Sequence, residues 1–347
     1  MNKPTTITIE DVARAAGVSR QTVSRVINRK PGVKTAVRER IETAIADLGY
    51  VPNLAARRMG GARSFLIMAI NDRARTIENW TAGRGNDWVD QMLHGGMLAC
   101  EEHGYHMLFE LVDTEHDEAV RQVGRILTSL QPDGIILTQP HSENAKLAQM
   151  LRERGRPFAR IALPNPEIPS LSVHFDDAAA ARACVDHLHD FGHERIAFLA
   201  GNSTYRGSLD RREGFADAMH EADLQPVIGE CDFSFEKAAN YARSLMRGDG
   251  APTAFIAEND EMAFAVLNVA DELGYEVPEQ VSLISFEDTP GARFSVPPLT
   301  AIRQPTAAMI GRACEVLIDA TGKTEVEGNH VLPFELRVRQ TTGPAPR

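Results

Sequence analysis

Hydrophobic and polar positions follow one pattern in the first 50 residues and another in the remainder. Near the N-terminus, apolar side chains recur three and four residues apart, which predicts helices at about 9–16, 20–28 and 35–48. From Ser64 onward, short apolar runs alternate with amphipathic stretches, a pattern typical of parallel sheets whose strands are joined by helices. The chain is therefore predicted to contain a small helical unit followed by a larger α/β unit.

Short polar residues and glycines mark the ends of the N-terminal helices. Thr8 and Asp11 are spaced as a variant capping box for the first helix, and Ser19 is placed to cap the second. Gly17 suits the left-handed turn between them, and Gly49 ends the third helix. Helix, short turn and helix is the arrangement that places a helix in the DNA major groove. A helical hairpin with a solvated polar face has the same pattern.

The larger unit contains seven apolar runs that predict strands and six amphipathic stretches that predict helices. The strands are FLIMAI, YHMLFEL, DGIILT, FARIAL, RIAFLAG, AFIAE and VSLISFED, and the helices lie near 91–103, 117–130, 177–191, 209–222, 236–247 and 260–273. This is too much chain for one sheet of modest size. Two α/β lobes with a cleft are therefore expected, with ligands at the carboxyl ends of the strands.

The composition is that of a globular protein with a substantial core. The chain has 347 residues, which suggests two or three domains at roughly 150 residues each, and 43% of them are hydrophobic and 24% charged. No run reaches the roughly 18 apolar residues of a membrane span, and no signal peptide is recognised, so a cytoplasmic location is expected. The cysteines are too widely spaced for a CxxC motif, which favours buried free thiols in a reducing compartment.

Charge is distributed unevenly along the chain. The net charge is −11, yet residues 1–62 contain 11 Lys and Arg against 5 Asp and Glu, whereas the remainder contains 26 against 43. A basic segment on an acidic body indicates that the N-terminal unit binds a polyanion and that the body does not. Chance fluctuation of charge is the alternative.

The second predicted helix carries side chains suited to DNA. Its exposed positions are Arg20, Gln21, Ser24 and Arg25. Arginine pairs bidentately with guanine and glutamine with adenine, so this face suits base readout. Short polar residues that suit phosphate oxygens are Thr8, Ser19, Thr22 and Asn28.

The segments DVARAAGVSRQTVSRVIN and GYVPNLAARRM closely resemble the DNA-binding domain of the lactose-repressor (LacI/GalR) family of bacterial transcription regulators. The resemblance implies a helix-turn-helix domain over 1–50, followed by a hinge helix and linker over 51–62. It places Arg20, Gln21 and Arg25 at base-reading positions. It assigns to the hinge the residues Asn53, Ala56, Arg57 and Met59.

The hinge segment 54–59 is too short to be stable alone, because isolated helices below about 12 residues are marginal in water. It is expected to fold when paired with its twin in the minor groove, where Met59 would wedge between base steps. The family usually has leucine there. A second departure is Lys34, where the family often has a capping serine, so Thr35 is expected to take over capping.

The resemblance continues through the body. The strings HLHDFGHERIAFLAG, DRREGFADAM, AENDEMAFAVLNVADELG and VSLISFEDTP followed by VPPLTAIRQP look like family signatures in family order. They imply a two-lobed, type I periplasmic-binding-protein-like domain over 63–347 that binds effector and dimerises, with crossings between lobes near 162, 290 and 330. The first lobe would contain 63–162 and 291–329, and the second 163–290 and 330–347. Residues 71–90 match poorly, and Trp88 among them is a candidate for stacking on a sugar ring.

Six residues are candidates for effector binding: His141, Ser142, Arg211, Asn259, Asp260 and Glu287. The resemblance makes Asp260 an acceptor for sugar hydroxyls, although it also suits a helix N-cap. Arg211 falls on a ligand-binding position, although an exposed surface arginine is the alternative. Glu287 replaces the aspartate usual in the family motif, which moves the carboxylate one methylene farther out.

The resemblance implies a homodimeric, ligand-controlled transcription regulator. The regulator is expected to repress a carbohydrate-utilisation operon by binding a palindromic operator, with a sugar-like effector bound between its lobes. No cofactor, metal site or catalytic residue is predicted, since His187, His189 and His193 are spaced as structural histidines and GxSxG, HExxH, P-loop and GxGxxG motifs are not found. The alternatives are a sugar-binding transport component, which the basic N-terminal unit opposes, and a carbohydrate enzyme on the same body.

Overall fold

The computed structural model describes residues 7–27, 31–50, 63–83 and 87–346. The chain forms two compact units, with the boundary between Phe65 and Leu66. Five of the predicted DNA-binding residues lie outside the described ranges: Asn28, Asn53, Ala56, Arg57 and Met59.

The N-terminal unit contains the three predicted helices. They are α1 (Ile9–Ala15), α2 (Arg20–Ile27) and α3 (Thr35–Leu48). Their apolar faces meet in one core, where Val12, Val23 and Ile41 are fully buried. Helices this short are marginal alone, so their packing against one another stabilises them.

The predicted helix ends are confirmed at α1 and α2. Thr8 Oγ1 accepts a hydrogen bond from the Asp11 N–H at 3.4 Å, and Asp11 Oδ2 accepts one from the Thr8 N–H at 3.0 Å, which completes the capping box. Gly17 has the left-handed φ of +62° that the turn requires. Ser19 Oγ accepts the Thr22 N–H at 3.2 Å and caps α2.

The start of α3 differs from the prediction. Lys34 is the N-cap, and no side chain caps the backbone there. Thr35 is already the first helical residue, and only the residue before it has the extended backbone from which a side chain caps a helix. At the other end Gly49 has a φ of +61° and ends the helix as predicted.

The first lobe of the larger unit is built on a parallel sheet. Its strands are β1 (Leu66–Asp72), β2 (His106–Val112), β3 (Gly134–Leu137), β4 (Phe158–Arg160), β5 (Leu171–His174) and β11 (Gly328–Val331), in the order β11-β5-β4-β3-β1-β2. Its helices are α4 (Arg73–Thr81), α5 (Asp87–Glu102), α6 (His116–Leu130), α7 (Ala145–Glu153) and α13 (Thr306–Asp319). Gly95 of α5 has no room for a Cβ, which would lie 1.9 Å from the Ala307 carbonyl oxygen, so α5 and α13 pack backbone against backbone.

The second lobe repeats this plan with one antiparallel edge. Its strands are β6 (Ile196–Ala200), β7 (Val227–Glu230), β8 (Ala254–Ala257), β9 (Ser282–Phe286), β10 (Thr300–Arg303) and β12 (Glu335–Arg337), in the order β12-β10-β9-β8-β6-β7. Only β12 pairs antiparallel. Its helices are α8 (Asp177–Asp190), α9 (Arg206–Glu221), α10 (Phe235–Met246), α11 (Asp260–Leu273) and α12 (Pro290–Phe294).

All seven strands and six helices predicted for this unit are present, which confirms the two-lobed α/β fold. The strands β5, β7, β10, β11 and β12 were not predicted, and each has three or four residues. Polar residues or a glycine interrupt each of them, whereas the equally short β3 and β8 consist almost wholly of apolar residues and so stand out as runs.

Two of the implied crossings between lobes are displaced. The strand β5 pairs with β4 in the first sheet, so the chain leaves the first lobe after His174 rather than near 162. The strand β10 pairs with β9 in the second sheet, so the chain returns after Arg303 rather than near 290. The third crossing lies between Val331 and Glu335. The first two were misplaced because they depended on β5 and β10, whose short runs the pattern did not reveal.

Histidines tie the C-terminal segment to the second lobe. His193 is fully buried, with Nδ1 2.9 Å from Thr253 Oγ1 and Nε2 3.0 Å from both Ser282 Oγ and the Gly343 carbonyl oxygen. Among the described residues, no group of three or more His, Cys, Asp or Glu side chains is arranged to hold a metal ion. No described helix is long and apolar enough to cross a membrane.

Candidate nucleic-acid interface and ligand cleft

The helix α2 presents its polar face to solvent. Arg20, Gln21 and Arg25 are exposed, whereas Thr22 and Ser24 are half-buried. The opposite face of the helix packs into the core of the N-terminal unit. The structure therefore brings the three predicted base-reading side chains to one exposed surface.

The two arginines of this surface make weak contacts. Arg20 Nε lies 3.3 Å from Glu10 Oε1, with 70% of the arginine side chain exposed. Arg25 Nη2 donates a hydrogen bond to the Pro31 carbonyl at 3.2 Å. Exposed ion pairs contribute about 0–1 kcal/mol, so exchanging such a contact for a base edge costs little.

The hydroxyls predicted to contact phosphate make local hydrogen bonds. Thr8 Oγ1 donates to Asp11 Oδ2 at 2.7 Å, and Ser19 Oγ lies 2.8 Å from Thr22 Oγ1. The hydrogen bonds from Thr8 lower the pKa of Asp11. In the structure these hydroxyls serve first to fix the starts of α1 and α2.

A cavity of about 630 Å³ lies between the two lobes, a volume within the range of small-molecule sites. Strand ends of both sheets contribute to its lining. Asp72 ends β1 and His174 ends β5, while Glu258 and Glu287 directly follow β8 and β9. The cavity thus lies at the carboxyl ends of parallel strands, where open α/β sheets bind ligands.

Arg211 lies in this cleft and is not an exposed surface residue. Its side chain is 11% exposed, with Nε 2.6 Å from Asp177 Oδ1 and Nη1 3.7 Å from Glu258 Oε2. The guanidinium carbon lies 4.8 Å from the ring centre of Phe286, within the range of a cation–π contact. Even beside this arginine, burial raises the pKa of Asp177 to about 6 and that of Glu258 to about 7.

Asn259 and Asp260 occupy the junction between β8 and α11, and they have different roles there. Asn259 is the N-cap, because its Oδ1 accepts the Met262 N–H at 2.8 Å. Asp260 is buried, and its carboxylate accepts the Ser285 hydroxyl at 2.6 Å and the Thr289 N–H at 2.7 Å. Burial raises the pKa of Asp260 to about 6. The alternative in which Asp260 is the cap is therefore wrong.

Glu287 follows β9 with a φ of +101°, which is rare for a residue with a side chain. Its backbone N–H donates to the Ile302 carbonyl at 2.9 Å, which holds the residue in this conformation. Its Oε2 accepts the Asp260 N–H at 3.4 Å. Burial and then the charges of Asp260 and Asp87 raise the pKa of Glu287 well above its usual value. Backbone strain at a ligand cleft is typical of a functional position.

His141 and Ser142 do not reach the cleft. They form a buried 3₁₀ turn with Glu143 and are absent from the cavity lining. The fully buried Arg160 draws this turn inward, since its Nε donates to the Ser142 carbonyl and its Nη2 lies 2.6 Å from Glu143 Oε1. The sequence correctly placed both residues after a strand, but it gave no sign that the buried Arg160 would hold the turn away from the cleft.

The sequence analysis missed several residues of the lining. Tyr205 donates its hydroxyl proton to Asp72 Oδ2 at 2.6 Å across the cleft, and Asp177 and Glu258 flank Arg211. Trp88 does line the cavity, but from helix α5 rather than from a loop. Asp177 is the first residue of helix α8, and Glu258 directly follows strand β8. A polar residue at such a junction is the same signal that identified Asp260 as a candidate, so it could have identified these two as well.

Comparisons with known proteins agree with this arrangement. Residues 8–53 match the family model of bacterial regulatory proteins, lacI family, and residues 185–342 match a periplasmic binding protein-like domain. The HTH-type transcriptional regulator CelR of Thermobifida fusca is 32% identical over 345 residues, which cover 96% of this chain and 98% of CelR. The chain belongs to the lacI family of bacterial regulatory proteins.

Solved structures of this family extend the likeness to nearly the whole chain. A lac repressor dimer bound to operator and the anti-inducer ONPF superposes with a TM-score of 0.79 at 27% identity, covering 97% of this chain and 99% of that one. A complex of CelR with cellobiose has a TM-score of 0.69 at 28% identity, covering 96% and 99%. These family members are transcription regulators rather than enzymes, and they confirm the predicted helix-turn-helix domain and two-lobed body.

Proposed function

We propose that this lacI-family chain is a transcriptional repressor that binds a palindromic operator as a homodimer. The observation that carries the proposal is the exposed face of α2, on which Arg20, Gln21 and Arg25 follow the Gly17 turn. A two-fold dimer presents two such helices to half-sites one helical turn apart. The solved structure of the lac repressor, a family member, as a dimer bound to operator supports this proposal.

The remaining polar residues near this face complete the proposed interface. Thr8, Ser19, Thr22 and Asn28 would contact phosphate oxygens and set the register of the helix on the duplex, while Ser24 lies among the base-reading residues. The basic excess of residues 1–62 supplies the sequence-independent attraction to DNA. The hinge roles of Asn53, Ala56 and Arg57 and the wedge role of Met59 stay predictions from the sequence.

We infer that a sugar-like effector binds in the cleft between the lobes. Arg211 offers donors, and Asn259, Asp260 and Glu287 offer acceptors around a cavity that Trp88 also lines. The CelR complex with cellobiose supports this class of ligand. The effector changes DNA affinity only to the extent that it binds one arrangement of the lobes more tightly than the other.

The proposed targets are carbohydrate-utilisation genes, and the proposed place of action is the nucleoid in the cytoplasm. A transport component or a carbohydrate enzyme on the same body would not bind duplex DNA. The two classes separate in one titration, because the affinity of a phosphate-contacting protein falls steeply with salt.

The proposal is tested by selecting bound duplexes from a random pool with the purified full chain at physiological salt. We expect a palindrome with a defined centre, whose release by sugars is then followed by fluorescence anisotropy. Failure to enrich any sequence, with and without a panel of sugars, would contradict the proposal.

A variant then tests the reading face of α2. Arg20→Ala is expected to cost about 1–3 kcal/mol on the selected operator and to relax specificity at one base pair. Arg40→Ala, an exposed arginine on α3, is the matched control and should leave the sequence preference unchanged. Equal weakening of Arg20→Ala on every sequence would make Arg20 a phosphate contact instead.

A further inference from the structure

The cleft carries a large excess of acidic side chains. Among the described residues, its lining has three arginines, namely Arg75, Arg206 and Arg211, and nine carboxylates, namely Asp72, Asp87, Asp90, Asp177, Asp210, Glu258, Asp260, Glu261 and Glu287. Hydrogen-bonding a neutral sugar requires no such excess, since hydroxyls both donate and accept. The surplus of charge therefore bears on the identity of the ligand.

The three arginines already face carboxylates of the protein. Arg75 Nη1 lies 3.5 Å from Asp232 Oδ1, and Arg206 Nη2 lies 2.6 Å from Asp210 Oδ1. The guanidinium of Arg211 is shared between Asp177 and Glu258. None of the three forms an ion pair with the acids at the far end of the cavity, although the charge of Arg211 acts on Glu287 at longer range.

That end is formed by Asp260, Glu287 and Asp87, which come from both lobes. Glu287 receives one backbone hydrogen bond, from Asp260 at 3.4 Å. Across the described ranges 63–83 and 87–346, no basic side chain forms an ion pair with Glu287, Asp260 or Asp87. The adjacent Asp288 does have a partner, because its carboxylate forms an ion pair with Arg339, which does not line this cavity.

Glu258 adds a second and independent observation. Its side chain has no solvent exposure, and Ser208 donates to its Oε1 at 3.0 Å. Glu258 lines the same cavity, and its Oε2 is buried and accepts no hydrogen bond from the described residues, with Arg211 Nη1 at 3.7 Å. A buried carboxylate oxygen without a hydrogen bond costs free energy that a donating ligand would recover.

We propose that the effector is a cationic sugar, a compound whose hydroxyl-bearing ring carries a protonated amine that binds between Glu287 and Asp260. This inference rests on the proposed function, which supplies the sugar, while the carboxylates supply the charge. A compact metal ion is not favoured, because no three ligating side chains of the described residues converge. A phosphate group is not favoured at this point either, because Glu287, Asp260 and Asp87 repel an anion.

The pKa of Glu287 depends on the charges around it. Those that act on it most are Asp260 at the start of α11, Asp87 on α5 and Arg211 on α9. Glu287 and Asp87 also line a smaller adjoining cavity, whose other charged groups are Asp288, Arg293, Arg303, Arg337 and Arg339. The two acids raise the pKa of Glu287 and the arginine lowers it, after burial has raised it. An ammonium group at this point would favour the carboxylate form, so its binding would tighten as pH rises toward neutrality.

The experiment is isothermal titration of the full chain with matched sugars at pH 7.5. The probes are D-glucosamine, D-glucose and N-acetyl-D-glucosamine, together with the β-1,4 dimers of glucosamine and of glucose. We expect an amine-bearing sugar to bind about tenfold or more tightly than its neutral counterpart, as a charge-assisted hydrogen bond implies. The preference should shrink at pH 5.

Two variants localise the effect. Glu287→Gln keeps the shape and removes the charge, and it is expected to abolish the preference for the amine. Glu230→Gln, which alters an exposed carboxylate paired with Arg212, is the control and should retain it. Tighter binding that survives in Glu287→Gln would overturn the assignment to this end of the cavity.

Each remaining outcome separates the two proposals. Equal or tighter binding of the neutral sugars would overturn the cationic class and leave the sugar-responsive regulator intact. If no sugar of either kind binds and none releases operator DNA, both the inference and the proposed effector class fail. Operator binding itself is measured without any sugar and does not depend on this result.

Discussion

The N-terminal unit and the cleft organise their polar groups in opposite ways. In the N-terminal unit, hydrogen bonds join residues three positions apart, as in Thr8 with Asp11, and polar side chains remain exposed. In the cleft, Tyr205 bonds Asp72 from 133 residues away, and carboxylates of like charge are buried together. Local contacts stabilise the first unit, whereas the second buries like charges together at the place where we propose that a ligand binds.

The largest expected effect comes from removing the cation on which the cleft depends. Arg211→Ala leaves Asp177 and Glu258 buried without their partner, and it is expected to lower the free energy of unfolding by about 3–5 kcal/mol at pH 8. Urea unfolding followed by tryptophan fluorescence measures this, since both tryptophans lie in the larger unit.

The neighbouring arginine is the control for that experiment. Arg212 is 41% exposed and pairs with the 60% exposed Glu230, so Arg212→Ala is expected to cost less than about 1 kcal/mol. Equal losses in the two variants would mean that the Arg211 network is no more costly to break than a surface ion pair.

The next effect is a dependence of stability on pH. Burial raises the pKa of Glu258 to about 7 in the folded chain, so the folded state holds this proton more tightly than the unfolded state does. The corresponding stability is present at low pH and is lost as pH rises from about 4.5 to 7.5, by up to about 3 kcal/mol.

Denaturant unfolding across this pH range measures the loss, and Glu258→Gln should flatten it. The N-terminal unit has the opposite sign, because the pKa of Asp11 is lowered and its contribution is lost as pH falls. If the larger unit instead became more stable between pH 5 and pH 7.5, the predicted difference in pH dependence between the two units would be wrong.

The smallest effect concerns the cap of α1. Thr8→Ala removes one half of the capping box and is expected to cost the N-terminal unit about 1 kcal/mol. Thr35→Ala is the matched control, since Thr35 does not cap α3, and it should cost less than about 0.5 kcal/mol. Thermal unfolding followed by amide signals of the N-terminal unit distinguishes the two. A larger loss for Thr35→Ala would contradict the capping geometry.

What could be predicted from the sequence follows the same division. The N-terminal helices, the Thr8 box and the Gly17 turn were predicted because each depends on residues within one turn of a helix. The central strands were predicted because their apolar runs are long. The short strands β5 and β10 were missed, and the first two crossings between lobes with them, because polar residues interrupt their apolar runs and only pairing with a neighbouring strand defines them.

The cleft shows the same limit at the level of single residues. The signal of a polar residue at a strand end selected Asp260 and Glu287, which do line the cavity. It also selected His141, which the buried Arg160 network holds away from it. The role of Glu258 depends on Arg211 and Ser208, which no local pattern connects to it.

The three crossings between the lobes have a consequence for synthesis of the protein. One edge strand of each sheet, β11 in the first and β12 in the second, lies within residues 328–337. Neither lobe is a continuous stretch of chain, so on the ribosome neither sheet gains its last strand until this segment has been synthesised. The helices of the N-terminal unit emerge first and need none of that sequence. A nascent or truncated chain therefore acquires the fold of its helix-turn-helix unit before it acquires a complete cleft between the lobes.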